Sequence, residues 1–138
     1  MRALLMTVMF LSFATPLIFT GLAVSVPLRA GLFNIGVEGQ LHFGALGCFL
    51  AGAAFPQAPY PFSIIVACCG GLIAGGIWGA IPGVLRSFTG MHEVISSILL
   101  NFIAIAFTNW ICLDHFQNPD SQNPETWPLP TSFLLHPA

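Results

Sequence analysis

Charged residues are the scarcest feature of this sequence. Only 6% of its 138 residues are charged: three arginines, five acidic residues and no lysine. Soluble domains average about 25% charged residues, so a soluble fold of this size could not cover its surface with so few. The absence of a basic patch also argues against nucleic acid as a partner. Together with 56% hydrophobic residues and a mean hydropathy of +0.86, this predicts a membrane protein.

The motifs of enzyme chemistry are missing as well. The sequence has no nucleophile elbow, no zinc-protease pattern and no phosphate loop. We therefore expect no catalytic residues, and any ATP-driven work would have to be done by another chain. The histidines are never paired at metal-ligand spacing, and the four cysteines show neither metal-ligand nor disulfide spacing. Cysteines in apolar runs are typical of packed small side chains, so we predict no metal and no cofactor in this chain.

Long apolar runs dominate what is present. A membrane-spanning helix needs about 20 mostly apolar residues. Four runs meet that need: 3–27, 36–55, 62–85 and 94–112. We predict an all-α fold, a polytopic transmembrane bundle of about four helices within residues 1–112. The polar, proline-rich residues 113–138 are predicted to form an extended extracytoplasmic loop. The first run is too long for the core of a signal peptide, which is about 7–15 residues.

The few charges suggest an orientation. Arg29 and Arg86 fall in two connections on the same side of the predicted bundle, and the positive-inside rule places that side in the cytoplasm. The acidic residues after the fourth run then fall outside. Arg2 also falls outside, which departs from the rule.

A polar group stands at the start of the second run. Asn34 and Glu38 would share one face of a helix, and Gln40 follows them. A carboxylate here is costly unless it sits at an interface, lines a cavity or has a partner. One interpretation is a helix cap with an ion pair between Glu38 and Arg29. The other is a transport pathway lined by Asn34, Glu38, Gln40 and, in the fourth run, Asn101, although a hydrogen bond between helices would also explain Asn101.

A second polar group precedes the fourth run. Arg86, His92 and Glu93 are candidates for contact with a cytoplasmic partner. The alternative is a turn followed by a helix start, with Glu93 at the positive end of the helix dipole.

Glycines recur every four residues in the third run. They are Gly71, Gly75, Gly79 and Gly83, which would form a stripe on one helix face. Small residues at this spacing let helices approach closely in lipid, where no hydrophobic drive brings them together. We therefore assign these glycines to helix packing inside a multi-helix bundle.

Four ordered stretches resemble one known family. They are TPLIFTGLA at 15–23, RAGLFNIGVEGQ at 29–40, WGAIPGVL at 78–85 and HEVISSILLNFIA at 92–104. Each stretch alone is weak evidence of kinship. In this order, however, the four are similar to permease subunits of bacterial ABC importers, of the branched-chain amino acid and simple sugar type. The nearest branch is the one for nucleosides or simple sugars.

The resemblance implies a role and a set of partners. The chain would be a multi-pass permease component of the bacterial inner (cell) membrane, importing a small polar solute such as a nucleoside or simple sugar. It would work in membrane lipid with a second permease subunit, with cytoplasmic ATPase subunits that use ATP, and with a periplasmic or lipid-anchored solute-binding protein. Such permeases are usually much longer, and we find no good match to their ATPase-docking loop. We therefore expect the chain to be a fragment, or the product of a split or degraded gene.

Two other classes stay open. One is a non-transporting membrane remnant or assembly protein, which fits the glycines but not the four ordered stretches. The other is a small ion-coupled carrier, which would need a coupling-ion site near the bilayer midplane. The acidic residues Glu38 and Glu93 lie near the ends of their runs.

Overall fold

Four helices make up the described chain. The computed structural model describes residues 2–123 and 125–134, with side chains from residue 5 onward. The helices are α1, Arg2–Arg29; α2, Val37–Ala54; α3, Phe62–Thr89; and α4, Glu93–His115. A short 3₁₀ turn, Thr131–Phe133, follows. In the described residues β-structure is limited to an isolated antiparallel bridge between Gln117 and Thr126. The prediction of an all-α bundle is confirmed.

Left-handed glycines end two of the helices at one side of the bundle. Gly31, with φ of 74°, follows α1, and Gly90, with φ of 68°, follows α3. Residues with a Cβ rarely adopt this conformation, so glycine is the common choice at the end of a helix. α3 and α4 are longer than the runs 62–85 and 94–112, because the charged residues at their ends are still helical.

Three of the helices are long and apolar enough to cross a membrane. They are α1 from Leu5, α3 and α4. The predicted second span, 36–55, is present as α2, but α2 has only 18 residues and contains Glu38, Gln40 and His42. At about 1.5 Å per residue, it is about 27 Å long. Because α2 packs against both α3 and α4, it needs less apolar surface than a helix that faces lipid.

The burial pattern is that of a membrane bundle. Ser63, Ser96, Ser97 and Thr108 are buried, whereas most large apolar side chains of α1, α3 and α4 are exposed. Lipid tails are as apolar as leucine, so a helix bundle in a membrane buries small and polar groups instead. This burial pattern and the three long apolar helices agree with the predicted multi-pass membrane protein.

Contacts along α2 give the relative directions of the helices. Gly47 of α2 faces Gly70 of α3, and Gln40 faces Gly79, so α2 and α3 are antiparallel. Gly39 is bonded to Asn101 of α4, and further along α2 Phe49 packs on Phe116. α2 and α4 are therefore parallel, and both begin where α1 and α3 end.

The described part of the tail folds back over the far ends of α2 and α3. Trp127 packs edge-on against Phe49 and Phe116, with ring centroids 5.5 and 5.1 Å apart. The Ser63 hydroxyl at the start of α3 donates to the Ser132 carbonyl. This differs from the extended loop expected for 113–138, because aromatic side chains hold the tail on the bundle. Residues 124 and 135–138 lie outside the described residues.

Candidate functional site

Three polar side chains on α4, which we call the ladder, form hydrogen bonds with the backbone before α2 and in its first turn. Glu93, Ser97 and Asn101 recur every four residues and accept hydrogen bonds from three backbone N–H groups. The Phe33, Ile35 and Gly39 N–H groups donate at 3.2, 3.4 and 2.9 Å, in that order. The Asn101 amide also donates to the Ile35 carbonyl at 3.0 Å. Non-helical backbone in a membrane protein is stable only where its polar groups find such partners.

Asn101 supplies the cap that α2 lacks. The N-cap position of α2 is Gly36, which offers no side-chain hydrogen bond. A capping oxygen normally accepts the N–H two or three residues into the helix, and Asn101 Oδ1 does this for Gly39 from a neighbouring helix. Asn101 therefore connects α4 to α2. Its bonds are hydrogen bonds between helices, which was the alternative to a place in the transport pathway.

Asn34 joins three elements through its amide group. Its Oδ1 accepts the Gly36 N–H at 3.0 Å and the Gln40 Nε2 at 3.2 Å. Its Nδ2 donates to the Ala23 carbonyl of α1 at 3.2 Å. Asn34 precedes the helix, so it does not share a helix face with Glu38 as the spacing predicted, and its partner is Gln40.

A groove runs between α1 and α3 beside this amide pair. We call it the amide groove; it is lined by Leu22 and Val26 of α1, Gly75 and Gly76 of α3, and Asn34 and Gln40. Its volume is about 550 Å³. A smaller cavity of about 200 Å³ adjoins it and shares Asn34 with it, together with Pro27 and Gly79.

The four predicted pathway residues therefore occupy three kinds of position. Asn34 and Gln40 line the amide groove. Asn101 lies behind them and holds the backbone at 35 and 39. Glu38 is exposed in the first turn of α2. The ion pair between Glu38 and Arg29, which was one of the two interpretations of this group, is not found in the described chain.

Trp78 begins one of the family-like stretches, 78–85, but no role was predicted for it. Its ring stacks on Phe43 of α2 at a centroid distance of 3.8 Å. The Trp78 Nε1 atom is buried without an acceptor among the described residues. A Cβ at Gly39 would lie 2.8 Å from this nitrogen and 3.0 Å from Asn101 Oδ1. Gly39 thus has no room for a side chain where α2, α3 and α4 meet, and tryptophan in an apolar run carried no signal for this contact.

Three glycines of the stripe pack against α2, and the fourth, Gly83, does not. Gly71, Gly75 and Gly79 face α2, where an added Cβ would lie within 2.5 to 3.1 Å of α2 atoms. A Cβ added at Gly83 would have no neighbouring atom within 4 Å among the described residues. Gly83 instead lines the smaller cavity. The closest approach of the helices is at Gly70, where a Cβ would lie 2.5 Å from the Gly47 carbonyl oxygen. Gly70 falls outside the four-residue spacing, so that pattern did not show it.

The three candidates for partner contact lie together at the turn between α3 and α4. Arg86 Nη1 and Glu93 Oε1 form an ion pair at 2.6 Å. Arg86 Nη1 also donates to the Gly31 carbonyl at 3.2 Å. His92 is exposed at the N-cap of α4. Arg86 and Glu93 are therefore bound within the chain, whereas His92 faces outward.

The cysteines are free and distributed over the helices. Among the described side chains, no three His, Cys, Asp or Glu residues come together as a metal site.

Comparison with known proteins identifies relatives over nearly the whole chain. Residues 6–137 match the family described as branched-chain amino acid transport system / permease component. The chain is 47% identical over 100 residues to the guanosine ABC transporter permease of Bacillus subtilis, covering 70% of this chain and 28% of the relative. It is 40% identical over 116 residues to the glucose ABC transporter permease of Haloferax volcanii, covering 82% and 30%.

A nucleoside ABC transporter permease of Lactococcus lactis is 37% identical over 102 residues, with 74% of this chain and 28% of the relative covered. The chain thus spans less than a third of the length of these curated relatives. No solved structure matches it.

Proposed function

The chain belongs to the family of branched-chain amino acid transport system permease components, and from this membership we propose that it forms part of the membrane pore of an ATP-driven importer. The observation that carries the proposal is the family match over residues 6–137. The amide groove places two side-chain amides, Asn34 and Gln40, between helices that are otherwise apolar. Membership of a permease family agrees with the prediction that the chain is not an enzyme.

The proposed solute is a small, uncharged polar molecule such as a nucleoside or a simple sugar. Three relatives are named for guanosine, glucose and nucleosides. The amide groove is lined by side-chain amides and apolar residues, without a charged residue in its lining. An amide offers both donors and an acceptor, which suits hydroxyl groups and base edges. Asn34 and Gln40 would contact the solute, Asn101 would hold them in place, and Glu38 would act at the mouth.

The proposed partners follow from the same membership. Cytoplasmic ATPase subunits would bind ATP, a second permease subunit would complete the pore, and a periplasmic or lipid-anchored protein would deliver the solute. The exposed His92 and the half-exposed guanidinium of Arg86 would contribute to the cytoplasmic contact face. The mechanism would be alternating access, in which ATP binding by the partners shifts two packed sets of helices against each other.

Uptake by cells that carry the chain with its neighbouring subunits tests the proposal. Gln40→Met keeps the size of the side chain and its packing near Gly79 but removes its hydrogen-bonding groups. We expect uptake of radiolabelled guanosine or glucose to fall at least tenfold, with unchanged amounts of the chain in the membrane. Asn109→Ala is the matched control, because this amide on α4 lies outside the amide groove. Normal uptake by Gln40→Met, or uptake that survives loss of the ATPase, would contradict the proposal.

A further inference from the structure

The ion pair between Arg86 and Glu93 lies at the turn between α3 and α4. Its two side chains also form hydrogen bonds with the connection between α1 and α2. Arg86 is in the last turn of α3 and Glu93 is the first residue of α4. Their side chains are 43% and 15% exposed, so the carboxylate is largely covered. Each of them also bonds to backbone between α1 and α2.

These two backbone bonds fall immediately before Asn34. Arg86 Nη1 donates to the Gly31 carbonyl, and Glu93 Oε1 accepts the Phe33 N–H, both at 3.2 Å. On the other side of Asn34, Ser97 and Asn101 hold the backbone of Ile35. The backbone around Asn34 is therefore held from both sides by α3 and α4. Hydrogen bonds to charged groups are roughly twice as strong as neutral ones. The bonds made by Arg86 and Glu93 are therefore stronger than those made by Ser97 and Asn101.

We propose that Arg86 and Glu93 are positioning residues that form a latch on residues 31–33 and so set the position of Asn34 in the amide groove. This rests on the proposed function, in which Asn34 contacts the solute. It gives the two charges an intramolecular role in addition to any partner contact. A movement of the turn between α3 and α4 would then move Asn34, because the latch connects that turn to Gly31 and Phe33.

Thiol labelling tests the latch without any transport assay. Leu32 is half-buried between the two latched residues, so Leu32→Cys reports on opening of this segment when the four native cysteines are replaced by alanine. In permeabilised cells carrying the full chain, we expect Arg86→Met to speed maleimide labelling at position 32 about tenfold. That is the ratio given by a loss of about 1.4 kcal/mol. Arg86→Lys keeps a charged donor and should label like the parent.

Two further variants separate the latch from general effects of charge and folding. Arg29→Met removes a charge from the same side of the bundle, at an exposed residue outside the latch, and should label like the parent. Glu93→Gln is nearly the same size and keeps an acceptor for the Phe33 N–H, so it should give a smaller rise than Arg86→Met. Parental labelling in both Arg86→Met and Glu93→Gln would overturn the latch, as would an equal rise in Arg29→Met.

Uptake measurements then separate the latch from the proposed function. We expect Arg86→Met to raise the KM for guanosine or glucose severalfold more than it lowers the maximal rate, and Arg86→Lys to restore the KM. Faster labelling with an unchanged KM would overturn the role of the latch in positioning Asn34. If the parent chain takes up neither solute while the labelling pattern holds, the proposed solute is wrong and the latch is supported.

Discussion

Single amide side chains fix the start of α2. Asn101 acts as the helix cap from α4, and Asn34 ties the preceding segment to α1 and to Gln40. Each of these amides bonds to backbone rather than only to another side chain. A buried backbone group without a partner costs about 1–3 kcal/mol, so each amide affects both stability and the shape of the amide groove.

Replacement of Asn101 should destabilise the chain measurably. Asn101→Ala leaves the Gly39 N–H and the Ile35 carbonyl without their partner. The loss of a capping side chain costs about 0.5–2 kcal/mol, so we expect a lower midpoint of thermal unfolding in detergent. Asn109→Ala, on an exposed part of the same helix, should leave the midpoint unchanged. Equal midpoints for Asn101→Ala and the parent would show that the cap contributes nothing.

At the scale of helices, the glycines that matter are those at the contact between α2 and α3. Gly47 and Gly70 lie so close that a Cβ on either would lie 2.5 Å from the carbonyl oxygen of the other. Backbone cannot move aside as a flexible side chain can, so this contact fixes the distance between the two helices. Gly83 is on α3, as Gly70 is, but a Cβ added there would lie in open space.

A matched pair of substitutions in α3 tests this difference. Gly70→Ala should cost about 1–3 kcal/mol, the usual range for overpacking. Gly83→Ala should be neutral or stabilise by up to about 1 kcal/mol, because alanine is the better helix former. Unfolding of the two variants in mixed micelles with increasing denaturing detergent gives the comparison. If Gly83→Ala were as damaging as Gly70→Ala, Gly83 would have a packing partner outside the described residues.

Across the whole molecule, the helix directions place two connections on one side and the tail on the other. Residues 30–36 and the turn around Gly90 meet at the ion pair of Arg86 and Glu93. The described tail covers the opposite ends of α2 and α3. With the positive-inside rule, we predict that the side that holds Arg29 and Arg86 is the cytoplasmic one.

Cysteine accessibility in intact cells checks this arrangement. In a cysteine-free background, Gln122→Cys, at an exposed position of the tail, should react with a membrane-impermeant maleimide added to intact cells. Ala30→Cys, which is also exposed, should react only after the cells are permeabilised. The reverse pattern would invert the orientation, and reaction of both in intact cells would contradict the helix directions.

Sequence patterns predicted the helices well and the contacts between them in part. Apolar runs revealed all four helices because length and hydropathy are local properties. The ladder of Glu93, Ser97 and Asn101 has a readable four-residue spacing, but its partners are backbone groups about 60 residues away in the chain. No spacing reveals such partners. The pairing of Asn34 with Glu38 went wrong because the helix starts at Val37, after Asn34.

The cap on α2 has a consequence for how the chain is made. Asn101 follows Gly39 by 62 residues, so α2 leaves the ribosome before the group that completes its first turn exists. At about 5–20 residues per second, that delay is roughly 3–12 s. During this time α2 is the shortest and most polar of the helices and has an incomplete start. The cap can form only when α4 arrives, so the first turn of the second helix is among the last parts of the described bundle to be completed.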